Sequence, residues 1–118
     1  MNELENIREL EGKDVVDPNG EQIGRMEDVY FDAESEEPLF VTVHTGLLGQ
    51  HLTFVPTAGA SLGQGYLQVA RYKAEVHHAP NIEKGGELSL EEEAYVFKYY
   101  GIDYQPASTE RGRRLVRH

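Results

Sequence analysis

The chain has 118 residues, 39% of them hydrophobic, with seven Tyr, four Phe and no Cys, and its formal net charge is −10. That length fits one domain able to bury roughly two thirds of its unfolded surface, and the lack of Cys excludes disulfides, thiol chemistry and Cys-based zinc sites. No apolar run approaches the ~20 residues of a membrane span and no charged-then-apolar start marks a signal peptide, so a soluble, cytoplasmic protein is expected. The charge is uneven. Residues 1–37 hold 13 acidic and three basic residues, whereas the last eight, Arg111 to His118, carry four arginines. Such a surface repels a phosphate backbone, so nucleic acid is not an expected partner, and the acidity serves solubility.

In chain order, residues 1–11 read as an N-terminal arm. Leu4, Ile7 and Leu10 have helical spacing, but the stretch is too short to stand alone and Gly12 breaks it. From Gly12 to Val76 short strands alternate with turn residues. "KDVV" leads into Asp17-Pro18-Asn19-Gly20, where Pro suits the first corner of a turn and Asn19-Gly20 suits positive φ. "EQIGRMEDVYFD" follows as a long strand whose apolar parity slips, which a bulge between Gly24 and Asp28 repairs. "PLFVTVHT" is a β-branched and aromatic strand, "GLLG" a hairpin tip, and "QHLTFVP" a strand with Leu52 and Phe54 inward. "GASL" and "GYLQVARY" complete the set with Leu67 and Val69 on one face. "HHAPNIEKGGE" reads as a loop. "SLEEEAYVFKYYG" is the clearest helix: Ser89 and Glu92 have capping-box spacing, Glu91 to Glu93 favour the positive end, and Gly101 closes it. Residues beyond Tyr104 are polar and basic and are expected to be disordered.

Candidate chemistry was sought in the same stretches. Asp17 opens an acidic loop like that of an EF-hand. Counting from it, however, Gly20 is fourth, Gln22 sixth and Asp28 twelfth, where the motif needs Gly at six and Glu at twelve. A hairpin with surface carboxylates is the expectation. His44 and His51 flank the "TGLLGQ" tip and make two metal ligands where zinc usually wants three or four; His77 and His78 diverge on an extended chain. No Ser has a G-x-S-x-G frame, and "GASLGQG" lacks the Gly-Lys-Ser/Thr ending of a phosphate loop. No catalytic, cofactor or metal residues are therefore assigned.

Two apolar excesses remain. On a helical wheel Leu90, Ala94 and Phe97 share a face while Tyr95 and Tyr99 lie almost opposite, and Leu47-Leu48 sits at a hairpin tip where polar residues are usual. Leu47, Leu48, Tyr95 and Tyr99 are the candidate protein interface. The opposing arrangement packs Tyr95 and Tyr99 within the chain, against Leu4 and Ile7.

The succession "LEGKDVVDPNGEQIGRMEDVYFD", "PLFVTVHTGLLGQHLTFVP" and "LQVARYKAEVHHAP" resembles the PRC-barrel domain, found in the photosynthetic reaction centre H subunit and in the C-terminal part of the ribosome maturation factor RimM. "APNIEKGGELSLEEEAYVFKYYG" is similar to the continuation of stand-alone bacterial members. The resemblance implies a mainly β fold, a small, strongly bent antiparallel barrel of about six strands over residues 12–80. A loop and an appended C-terminal α-helix over 81–104 and a basic tail over 105–118 would follow. It implies no catalysis, and partners that are proteins; a homodimer is expected from Leu47, Leu48, Tyr95 and Tyr99, and no cofactor is expected. Two alternatives remain: a ribosome-associated or RNA-processing accessory factor, and a small-molecule or metal binder.

Overall fold

The computed structural model describes residues 6–83, 86–108 and 112–117, with Leu47 described by its backbone alone. A 3-10 turn at Ile7–Leu10 precedes strands β1 (Asp14–Val16), β2 (Gln22–Asp32), β3 (Pro38–Thr45), β4 (His51–Pro56), β5 (Ser61–Leu62) and β6 (Tyr66–Gln68). Helix α1 (Lys73–His77), strand β7 (Asn81–Glu83), helix α2 (Leu90–Tyr99) and strand β8 (Leu115–Arg117) follow. The sheet runs β5-β6-β1-β2-β3-β4-β7, with β8 added on β2.

The count and the closure differ from the expectation of about six antiparallel strands in a barrel. Among the described residues there are eight strands, β1 and β6 pair in parallel, and no pairing joins β5 to β7. The bend comes from β2, whose 11 residues pair first with β1 around Gly24 and then with β3 from Met26 to Phe31. Between Met26 and Val29 it spends one residue more than β3, a bulge that restores the inward parity lost in the sequence. The amide of Asp28, inside the bulge, donates to the buried Thr42 hydroxyl at 3.1 Å.

Two apolar clusters lie on opposite faces of the central strands. Val41, Val43 and Val55 join Ile7, Val15 and Met26 in the first; Phe40, Leu52 and Phe54 join Val96 and Phe97 of α2 and Tyr100, its C-cap, in the second. Both faces of β3 and β4 are covered, which is why those strands read as nearly continuous apolar runs rather than alternating ones. Leu52 and Phe54 do point inward, but toward α2. Ile7 is buried in the first cluster while Tyr99 packs on the second, so the arrangement placing Tyr95 and Tyr99 on Ile7 does not occur; Leu4 lies outside the described residues.

Three further expectations change. "HHAPNIEKGGE" contains β7, because Leu52↔Ile82 pairing on β4 gives a three-residue strand the partner that its own sequence does not specify. Asp17 is buried rather than a surface carboxylate. The tail after Tyr104 is not disordered over residues 112–117. It returns to β2 as β8, with Tyr30↔Arg117, Phe31↔Val116 and Asp32↔Leu115 in register.

Candidate functional site

The "DPNG" turn closes the first hairpin. The amide of Gly20 donates to the Asp17 carbonyl at 2.9 Å, and Gly20 takes φ +81°, closing β1 onto β2. Asn19, read as part of a positive-φ pair, is not itself in that region. The Asp17 side chain turns inward: Oδ1 accepts the amides of Asn19 and Glu21 at 2.8 and 3.0 Å, and Oδ2 accepts that of Lys73 at 3.1 Å. Burial alone would raise its pKa, but these three amides and the Lys73 charge outweigh it and hold the carboxyl below its ordinary value. The group ties the first hairpin to α1. Among the described residues no three His, Asp or Glu side chains group as metal ligands.

At the second hairpin tip, His44 bridges the Gly49 carbonyl (Nδ1, 3.1 Å) and the Glu27 carboxylate (Nε2, 3.0 Å), while the ring of His51 lies against Gly46. Both histidines therefore support the tip. Leu48 stands on it 85% exposed and at φ +63°, a left-handed conformation unfavourable for a Leu. His77 and His78 close α1 with their rings 5.1 Å apart, edge to face.

Helix α2 forms where the sequence predicts it. Ser89 accepts the Glu92 amide while Glu92 accepts the Ser89 amide, and Gly101 follows at φ +70°. Its buried stripe is Glu93, Val96, Phe97 and Tyr100, rotated from the predicted face of Leu90, Ala94 and Phe97. Leu90 and Tyr95 are left exposed, and Tyr95 with Glu91, Ala94, Lys98 and Tyr99 lines a shallow groove of about 550 Å³ on the outer side. Tyr99 is only partly available: its hydroxyl donates to the Glu75 carbonyl at 2.5 Å and its ring stands edge-on to Tyr100.

Glu93 is the residue that sequence reasoning missed, having been counted with the acidic first turn. It is fully buried. Oε1 accepts the Leu115 amide at 2.8 Å; Oε2 accepts the Arg114 amide at 3.0 Å and the Tyr104 hydroxyl at 2.6 Å. The signal was available in the spacing, since Glu93 stands three, four and seven residues before Val96, Phe97 and Tyr100.

A bent sheet, two helices and an inward-turned Asx hairpin together define a small, mainly β module. Its sequence matches the PRC-barrel domain over residues 2–76, well over half of the chain, and the protein belongs to that family. A search of curated proteins finds no match. The matched span ends before α2, so Tyr95, Glu93 and β8 are features of this chain outside it. Among the described residues no helix is long and apolar enough to cross a membrane.

Proposed function

We propose that this protein is a non-enzymatic, cytoplasmic assembly module that works by protein contact, and that a second copy docks on the outer side of α2. The carrying observation is Tyr95, 57% exposed and flanked on its own helix face by Glu91 and Lys98. In a two-fold antiparallel crossing centred near Tyr95, Glu91 of one copy faces Lys98 of the other on both sides. The patch is thus complementary to itself, as a two-fold interface requires. Burying one Tyr or Leu side chain contributes about 1.5–3 kcal/mol. The exposed Leu48, at a positive φ on the hairpin tip, is a second anchor of the same interface class. Arg114 and Arg117 are engaged by the chain's own carboxylates, which weighs against a phosphate-binding role for the tail.

Sedimentation velocity over a wide concentration range tests this. Wild type is expected to dimerise and Tyr95→Glu to stay monomeric, while Glu91→Lys and Lys98→Glu each weaken the dimer and restore it when combined. A wild type that remains monomeric at the highest concentration would overturn the self-docking.

A further inference from the structure

We infer that the cleft between β2 and α2 is a strand-binding site for an extended Arg-aliphatic-x-Arg segment, filled in this structure by the chain's own residues 114–117. Each part of the site meets one part of that segment. Glu93, buried at the cleft floor, accepts two successive backbone amides, those of residues 114 and 115, and so holds the bend by which the segment enters the strand through its backbone alone. The free edge of β2 at Tyr30–Asp32 supplies the ladder, and the Ala33 amide donates to the carbonyl of residue 114 at 2.7 Å. Sequence is read by side chains. Asp32 takes the Arg114 guanidinium with both oxygens at 2.9 Å and Glu34 adds a third contact at 2.9 Å. Leu115, 2% exposed, fills an apolar socket in the second cluster, and Asp28 meets Arg117 at 3.4 Å. Backbone pairing for affinity with alternate side chains for specificity is how edge-strand receptors recognise peptides.

One observation sets the strand apart from the rest of the sheet, and a second states what any replacement must supply. It lies off the main strand order and touches the sheet through β2 alone, so its departure leaves the β5-to-β7 path unbroken. And a carboxylate buried as fully as Glu93 is stable only while donors face it. Two of its three donors come from residues 114 and 115, so a segment that displaces the tail has to offer Glu93 two amides at the same places.

The probe is a fluorescent peptide with the sequence of residues 112–117, Gly-Arg-Arg-Leu-Val-Arg, followed by anisotropy. Full-length Leu115→Asp, whose own tail is ejected by an acid beside Glu93, is expected to bind it roughly tenfold or more tighter than wild type, where the native tail competes. Raising salt should weaken the binding, and a peptide with Ser in place of Leu should fail. A folded Leu115→Asp that ignores the peptide would overturn the inference. Wild-type hydrogen exchange gives an independent reading: the amides of Arg114 and Leu115 should exchange at least about tenfold faster than those of Val41 and Val55. Equal rates, or a Leu115→Asp chain that cannot fold, would show β8 to be an integral part of the fold and overturn its exchange.

Discussion

Gly20 and Gly24 are both turn-and-bend glycines by sequence, and the structure separates them. A Cβ on Gly20 meets nothing within 4 Å, so only its positive φ resists substitution, and Gly20→Ala should cost about 1 kcal/mol. A Cβ on Gly24 would fall 2.1 Å from the His44 carbonyl oxygen and 2.7 Å from a methyl of Val43. Something in the β2–β3 contact has to move, so Gly24→Ala should cost several-fold more, roughly 3 kcal/mol or beyond. Urea unfolding of the two variants decides it, and equal midpoints would show that the close approach relaxes freely. At this scale the sequence is legible where a residue's own backbone sets its role, as at Gly20. It is opaque where the role is a distant neighbour's: nothing near Gly24 in sequence announces His44, and nothing near Asp17 announces the amide of Lys73.

The same division holds for elements. Helix α2 is legible from "SLEEEAYVFKYYG" because its start and its stop are local, whereas its buried stripe is set by the sheet it packs on and shares only Phe97 with the predicted face. Replacing Ser89 by Ala removes the acceptor of the Glu92 amide and should lower stability by about 1 kcal/mol at unchanged denaturant slope; a shift of the midpoint below a third of that would mean the box is redundant. The strands that stayed hidden, β7 and β8, have three residues each and exist through Leu52 and through Tyr30–Asp32 respectively. Composition argues the wrong way for β8, since four arginines in eight residues resemble a solvated tail until Asp28, Asp32 and Glu34 are seen opposite them. The barrel expected from the family likeness is likewise a property of pairing, and among the described residues β5 and β7, the two ends of the strand order, do not pair.

For the whole molecule, stability against pH follows from which groups are shifted and in which direction. Asp17 and Asp32 are both held below the ordinary carboxyl value of 3.8. For each, burial pushes upward and is outweighed: by the three amides and the Lys73 charge at Asp17, and by the Glu34 and Ser35 amides with the Arg114 guanidinium at Asp32. A depressed folded-state pKa adds stability that is present above the unfolded value and disappears as pH falls through it toward the folded one. On the alkaline side Tyr104 is pushed up from 10.0 to about 12, by burial first and then by its bond to Glu93, and Tyr30, Tyr99 and Tyr100 shift the same way, each through burial first. A raised tyrosine pKa adds stability that is complete below about 10 and is lost as pH climbs through the folded value. With a net charge of −10, each new phenolate also joins an already repulsive surface. The expected profile is a plateau from about pH 5 to 9 with a decline on each side. Urea midpoints across the range for wild type, Asp17→Asn and Tyr104→Phe assign the two limbs. Asp17→Asn should lower the plateau and flatten the acid limb, because an amide offers one acceptor oxygen to three donors and no longer titrates; Tyr104→Phe should flatten the alkaline limb. An acid limb of unchanged slope in Asp17→Asn would remove the buried hairpin carboxylate from the acid response and leave Asp32, with Arg114 and the β8 strand it holds, as the group that gives way first.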